Sequence, residues 1–174
     1  DIDGGNIVQI FGSDEWDSIP NWSPDGSKIA FNSGPDGAAD IYSINAHGAQ
    51  LQRLTDDRNN NVMPRWSPDG KKIVFQSMLS TTGEWVLQIM NADGSNVRRL
   101  TPVNSSSNAP TWSPDGKKLA FHSFRDNDEG EIYILDLASE EVTRLTDNSA
   151  VDEVPLWLPR KQGFEVTEDS VIIP

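Results

Sequence analysis

One ten-residue phrase recurs along this chain and restricts its fold more than any other feature. Trp22-Ser-Pro-Asp-Gly-Ser-Lys-Ile-Ala-Phe31 returns as Trp66 to Phe75 and as Trp112 to Phe121, and a degenerate copy runs from Trp157 to Val166. The Trp-to-Trp steps are 44, 46 and 45 residues. A period of roughly 40–45 residues, with one Trp and one fixed turn per unit, is the signature of β-propeller blades. Twelve positions before each Trp stands an apolar residue, Ile10, Leu54, Leu100 or Leu145, and the last three begin a Leu-Thr pair. Six positions further back lies a turn at Gly4, Gly48, Gly94 or Ser139. The units differ in length only after Phe31, Phe75 and Phe121, where a surface hairpin loop absorbs insertions.

Each unit reads as four strands. In the second, Pro64 to Ser67 is a short innermost strand, and Ser67-Pro-Asp-Gly70 is a tight turn in which Pro68 fixes φ and Asp69 bonds nearby backbone. Lys72 to Gln76 is the second strand, Trp85 to Met90 the third and Val97 to Leu100 the fourth. The fold class expected is all-β, a β-propeller of four-stranded blades with four blades in one domain. The units are 12–55, 56–101, 102–146, and 147–174 together with 1–11. Trp22, Trp66, Trp112 and Trp157 belong to the core between blades, not to a ligand platform. Asn6 to Phe11 supplies a fourth strand. Val154 to Leu158, Gly163 to Val166 and Val171 to Ile173 supply the first three. Pairing of Ile7–Ile10 with Val171–Ile173 is therefore expected to close the ring. Three arrangements satisfy these ends: a closed four-blade monomer, part of a larger ring, or two chains exchanging strands into a ring of eight.

Composition narrows the partners. The 13 Gly and 11 Pro follow the period, so they mark turns. No apolar run approaches the ~18 residues that span a bilayer, so no membrane insertion is expected. No leader-like segment opens the chain, which suits a cytoplasmic or an already processed protein. Cysteine is absent, removing disulfides, thiolate nucleophiles and Cys-ligated metals. A net charge of −13 repels nucleic acid and anionic lipid, and favours cationic partners or divalent cations.

Leu-Thr, a variable acidic loop, and then Pro-x-Trp-Ser-Pro-Asp-Gly-Lys-Lys-Ile-x-Phe resembles the repeat of the TolB-type propellers, whose units look like WD repeats. The resemblance covers nearly the whole chain and is specific in three units. In the fourth, Leu158-Pro-Arg-Lys161 replaces the Ser-Pro-Asp-Gly turn. The resemblance implies a periplasmic, secreted or cell-surface propeller that binds protein. The same repeat also serves as the gating propeller of prolyl-oligopeptidase-like hydrolases and in some glycan-processing lyases.

The catalytic inventory is thin. There is no Gly-x-Ser-x-Gly elbow. His47 reads as a solvated turn residue, and His122, in the slot of Asn32 and Gln76, as a polar strand residue. No His pair has zinc spacing. Asp126-Asn-Asp-Glu-Gly130 lacks the spacing of a calcium loop. The loops between each Leu-Thr and the next Trp, residues 12–19, 56–63, 102–109 and 147–154, keep constant length while their sequences diverge. They emerge at one end of the ring, and binding specificity is expected there, on Trp16, Asp17, Arg58, Asn61, Asn108, Asp152 and Glu153. Trp16 is either the anchor or packs on Ile19. Asp17, Asn61, Asn108 and Asp152 either ring the channel mouth and hold a Ca²⁺ ion, or cap loops. The function expected is a non-enzymatic binding propeller for a protein or cell-surface polymer. The alternative is the propeller of a glycan-active enzyme or of a peptidase gate.

Overall fold

The computed structural model describes residues 5, 7–126, 128, 130–148, 152–157 and 171–172. Three antiparallel four-stranded sheets follow one another along the chain. The first is β1 (Trp16–Trp22), β2 (Lys28–Gly34), β3 (Asp40–Asn45) and β4 (Gln52–Arg53). The second is β5 (Asn60–Trp66), β6 (Lys72–Met78), β7 (Trp85–Asn91) and β8 (Arg98–Arg99). The third is β9 (Ser107–Trp112), β10 (Lys118–Ser123), β11 (Glu131–Asp136) and β12 (Val142–Arg144). A fourth, two-stranded sheet pairs β13 (Leu156–Trp157) with β14 (Val171–Ile172). Each of the three four-stranded sheets is a meander, as the hairpin turns in the repeat require.

The Ser-Pro-Asp-Gly turn is built the same way three times. The Ser hydroxyl donates to the Asp carboxylate at 2.6, 2.6 and 2.7 Å in Ser23–Asp25, Ser67–Asp69 and Ser113–Asp115. The same hydroxyl accepts the amide of Lys28, Lys72 or Lys118 at 2.9 Å. The Gly amide closes the turn onto the Ser carbonyl, with Gly26, Gly70 and Gly116 at φ of 70, 69 and 72°, a region open to glycine. The Ser23 hydroxyl and the Ser27 amide and hydroxyl hold the Asp25 carboxyl down at about 2.

Successive blades bury their apolar faces against each other. Ala30, Ile41 and Leu54 of the first blade meet Trp66, Ile73, Phe75 and Met90 of the second. Val74, Leu87 and Ile89 of the second meet Trp112, Leu119, Phe121 and Leu135 of the third. The Trp112 indole also donates to the Arg65 carbonyl at 3.0 Å, and that of Trp157 to the Thr111 carbonyl at 3.2 Å. Trp66 and Trp112 are each 8% exposed, covered by the blade before them, whereas Trp22 is 53% exposed, with no four-stranded sheet before it among the described residues.

Two expectations at the ends are corrected. Ile7–Ile10 make no ladder with Val171–Ile173: β14 pairs with β13, Ile7–Ile10 lie in no strand, and Ile173 lies outside the described residues. The apolar side chains of the opening segment instead cover the first blade. Ile10 and Phe11 pack on Ile29, Phe31 and Ile44, with the Phe11 and Phe31 rings 5.1 Å apart. The alignment of Ile10 with Leu54 holds in space. A Cβ on Gly48 would come 2.7 Å from the Ile10 carbonyl oxygen, just as one on Gly94 would come 2.8 Å from that of Leu54. In the last unit, Val171 stands opposite Trp157, the register position of Ile29, Ile73 and Leu119. That seat had been given to the strand at Gly163 to Val166, which lies outside the described residues. Leu158 to Lys161 lack the Ser and Asp that close the tight turn elsewhere.

The innermost strands are longer than expected, beginning at Trp16, Asn60 and Ser107. A bulge carries each one past its proline. Ile19, Met63, Ala109 and Val154, each preceding a Pro, have φ of 52, 55, 48 and 50°. The ladder shifts register at Ser18/Asn21, at Val62/Arg65 and opposite Ala120/His122. Such backbone costs about 1–3 kcal/mol per residue and persists only where its surroundings impose it. For two of the four the preceding blade supplies an acceptor. Asn32 Oδ1 accepts the Met63 amide at 3.5 Å, and Gln76 Oε1 accepts the Ala109 amide at 3.0 Å.

His122 holds the same slot in the third blade, buried, with Glu153 and Asp152 of the next unit close enough to act on it. Burial pushes the imidazole below its ordinary value, against the opposing pull of Glu153, Asp152 and Glu131. The folded form therefore prefers a neutral ring. The unfolded ring takes up a proton as pH falls through about 6.5, so stability present above that pH is lost below it. Thermal melts across this range should show the parent losing stability on the acid side relative to His122→Gln, which carries the Gln76 side chain. Parallel curves would refute the assignment. In the core, Trp66→Ala should cost about 3–5 kcal/mol by denaturant unfolding, and Lys71→Ala on the exposed turn within about 0.5 kcal/mol; equal losses would show the blade register to be wrong.

Candidate binding rim

The starts of the innermost strands and the segments leading into them lie at one end of the sheets, opposite the Ser-Pro-Asp-Gly turns. Side chains here satisfy one another over four residues. The Ser13 amide and hydroxyl donate to Asp17, both at 3.0 Å. The Asn61 amide group donates to Asp57 at 2.7 Å, and that of Asn148 to Asp152 at 2.8 Å. In the third unit Ser107 holds this position and bonds Ser105 at 2.8 Å. Burial, the largest single influence, raises the Asp17 carboxyl, but the hydrogen bonds from Ser33 and Ser13 together outweigh it and hold the group below its usual value.

The expected site residues separate into two sets. Trp16, Asp17, Arg58 and Glu153 are exposed, and Trp16 is 76% exposed, so it does not pack away on Ile19. Asn61 and Asp152 are buried. Asn61 pairs across the ladder with Ser77 and Asp17 with Ser33, whereas Asn108 pairs with His122, one step further along its strand than Ser107. Because side chains alternate between faces, Asn108 stands on the other face from Asp17 and Asn61. Its amide group donates to the Ser106 carbonyl at 3.1 Å. The four are thus not brought together as one ring of oxygens. Among the described residues, no group of three or more His, Cys, Asp or Glu side chains is placed to hold a metal ion. Also among those residues, no helix is long and apolar enough to cross a membrane.

A residue that sequence reasoning placed only as a strand start completes the rim. Trp85 and Trp16 both line a cleft of about 300 Å³ between the first two blades, together with Asn60, Met63 and Ile19. Asn60 stands opposite Met78, and Met78 opposite Trp85, so Asn60 and Trp85 flank one level of the second sheet. The signal was available: of six Trp in the chain, Trp16 and Trp85 are the two outside the repeat slot.

Comparison with known proteins agrees with this architecture. A family model described as the TolB beta propeller domain matches residues 1–108, and one for the dipeptidyl peptidase IV N-terminal region matches residues 67–158. The Tol-Pal system protein TolB of Syntrophus aciditrophicus (strain SB) is 38% identical over 53 residues, 30% of this chain and 12% of that protein. The structure of a putative TolB from Agrobacterium tumefaciens superposes with a TM-score of 0.64 at 29% identity, covering 76% of this chain and 49% of that one. TolB from Acinetobacter baumannii gives a TM-score of 0.73 at 24% identity, covering 94% and 41%. The chain thus spans less than half the length of these TolB structures. With the blade sheets, the repeated turn and a family model matching more than half of its residues, the chain belongs to the TolB β-propeller domain family.

Proposed function

We propose that this chain is a non-enzymatic binding and scaffold propeller working outside the cytoplasm, in the periplasm, in secretions or at the cell surface. Its ligand surface is the rim formed by residues 12–19, 56–63, 102–109 and 147–154, and its partner is a protein or a cell-surface polymer. One observation carries this reading. The Ser–Asp hydrogen bonds of three turns at one end of the sheets agree to within 0.1 Å, while equivalent rim positions change chemistry from unit to unit, as in Trp16, Asn60, Ser106 and Val151. A frame held constant beneath divergent side chains is suited to recognition. The Tol-Pal relative supports a protein partner and the extracytoplasmic location. Closure belongs to the same proposal: four units joined into a ring by one chain, by two chains exchanging strands, or within a larger ring. Sedimentation equilibrium separates a 19.2 kDa monomer from a dimer.

A second reading, the gating propeller of a peptidase, is favoured by the match to the dipeptidyl peptidase IV N-terminal region. It too needs no catalytic group on this chain.

Photo-crosslinkers introduced in cells at exposed Arg58 and Glu153 should give discrete adducts. The same groups at Asp69 and Lys117, on the turns at the other end, should not. Adducts confined to the turn positions would overturn the rim assignment. The isolated chain should release no product from peptide nitroanilides or from oligogalacturonides, and turnover of either would overturn the non-enzymatic reading.

A further inference from the structure

Four of the six Trp in this chain serve the repeat, and the remaining two, Trp16 and Trp85, line the same cleft. We infer that this cleft, between the first and second blades, binds a terminal segment of a neutral carbohydrate chain. The inference deepens the rim proposal and rests on it.

The cleft measures about 300 Å³, at the small end of ligand sites, which suits the end of a chain. A sugar ring presents an apolar C–H face that lies on an indole, and hydroxyls that both donate and accept, for which a carboxamide is the matching group. Both features are present. Trp16 is 76% exposed, far more than an indole needed for packing. The amides of Asn32, Asn60 and Gln76 also line the cleft. Two of them are fixed in advance. Asn32 is held by Ser18 at 2.9 Å and by the Met63 amide. Gln76 is held by the Ala109 amide at 3.0 Å and by Asn108 at 3.4 Å. Asn60 Oδ1 accepts the Ala39 amide at 3.0 Å, which orients the group, and its Nδ2 has no protein partner among the described residues. Positioned amides beside one exposed and one half-buried indole make a preorganised site.

Charge selects the sugar. Among the described residues no Lys or Arg lines the cleft, and Asp36 is the one charged residue that does. Uronate, sulfate or phosphate groups would meet a chain of net charge −13 with no local cation. Neutral hexose, pentose or N-acetylhexosamine chains carry no such penalty.

The test is titration of the ¹⁵N-labelled protein with hexasaccharides of glucose, mannose, xylose and N-acetylglucosamine. Oligogalacturonate and a proline-rich peptide serve as the other ligand classes. One neutral series should shift the indole resonances of Trp16 and Trp85 and leave those of Trp66 and Trp112 in place. Trp16→Ala, at an exposed site that leaves folding intact, should weaken that binding about tenfold or more. Trp22→Ala, outside the cleft, should leave it unchanged. The assignment is overturned if no neutral series moves either indole, if binding survives Trp16→Ala, or if oligogalacturonate or the peptide binds more tightly. Silence from the sugars with rim-dependent crosslinks intact overturns the carbohydrate alone. A sugar response at Trp16 with crosslinks confined to the turn end overturns the wider rim reading and leaves the sugar site standing.

Discussion

The burial of one blade's apolar face against the next is the constraint on which everything else rests. A single four-stranded meander has two faces and can cover neither by itself. Where the next blade is present, the covered residues are almost wholly removed from water: Ile41, Ile73, Phe75, Leu87 and Leu119 are all fully buried. Each such residue contributes roughly 1.5–3 kcal/mol relative to exposure. The first blade shows the same requirement from the other side. Its outward face carries Ile29, Phe31 and Ile44 in the repeat positions, and the segment around Ile10 and Phe11 lies over them without forming a ladder. Trp22, at the edge of that cover, remains half exposed.

Apolar stacking does not fix how far one blade turns relative to the next, because it is non-directional. Polar contacts supply the direction. The Asn21 side chain accepts the Trp66 amide at 2.9 Å, and Asn32 and Gln76 seize the bulged amides of Met63 and Ala109. At Met63 and Ala109 the acceptor takes up an amide that the left-handed backbone aims out of its own ladder. Strain in one blade is offset by a side chain from its neighbour, so the geometry of the rim is a property of pairs of blades. Within a blade, an Arg-Leu-Thr segment ties the outer edge to the third strand. Thr55 donates to Asp40 at 2.7 Å and accepts the Ile41 amide, while Arg53 pairs with Asp40 at 2.6 Å. Thr146, Glu131 and Arg144 repeat the arrangement in the third blade. In the second blade Val86 stands where the acid would be, and Thr101 still accepts the Leu87 amide at 2.9 Å. The Thr–amide bond is therefore the constant part, and the pairing of Arg with a buried carboxylate an addition that one blade omits.

The blade frame was legible because it is written in residues whose physics is local. A Pro that fixes φ, a Gly at positive φ and an Asp that bonds backbone two residues on make a turn wherever they stand in that order, and repetition rules out coincidence. The long innermost strands were not legible. Nothing in Ile19-Pro20 or Met63-Pro64 taken alone announces a left-handed residue before proline, which ordinarily favours extended backbone. For Met63 the acceptor, Asn32, sits 31 residues away, on another sheet. The same long-range dependence hid the metal question. Asp17 and Asp152 look like free oxygens in sequence, yet each accepts a hydrogen bond from a side chain four residues earlier, and Asn61 gives its amide N–H to Asp57. Asn108 is displaced by a single position, enough to reverse its face.

What the repeat leaves free is therefore a better guide to function than what it conserves internally. Asn32 and Gln76 are committed to the frame by their bonds to the next blade, and they also form the base of the cleft between the first two blades. One set of amides thus serves both the angle between blades and the polarity of the surface above. A substitution at either position would move the rim as well as alter it. Among the described residues Trp16 carries no such double duty, because it is held only through its backbone in β1, whereas Asn60 is tied to the first blade by its bond to the Ala39 amide. Ligand preference can change through Trp16 without disturbing the stack, and the degree to which a rim side chain is engaged by the neighbouring blade sets how freely it can do so.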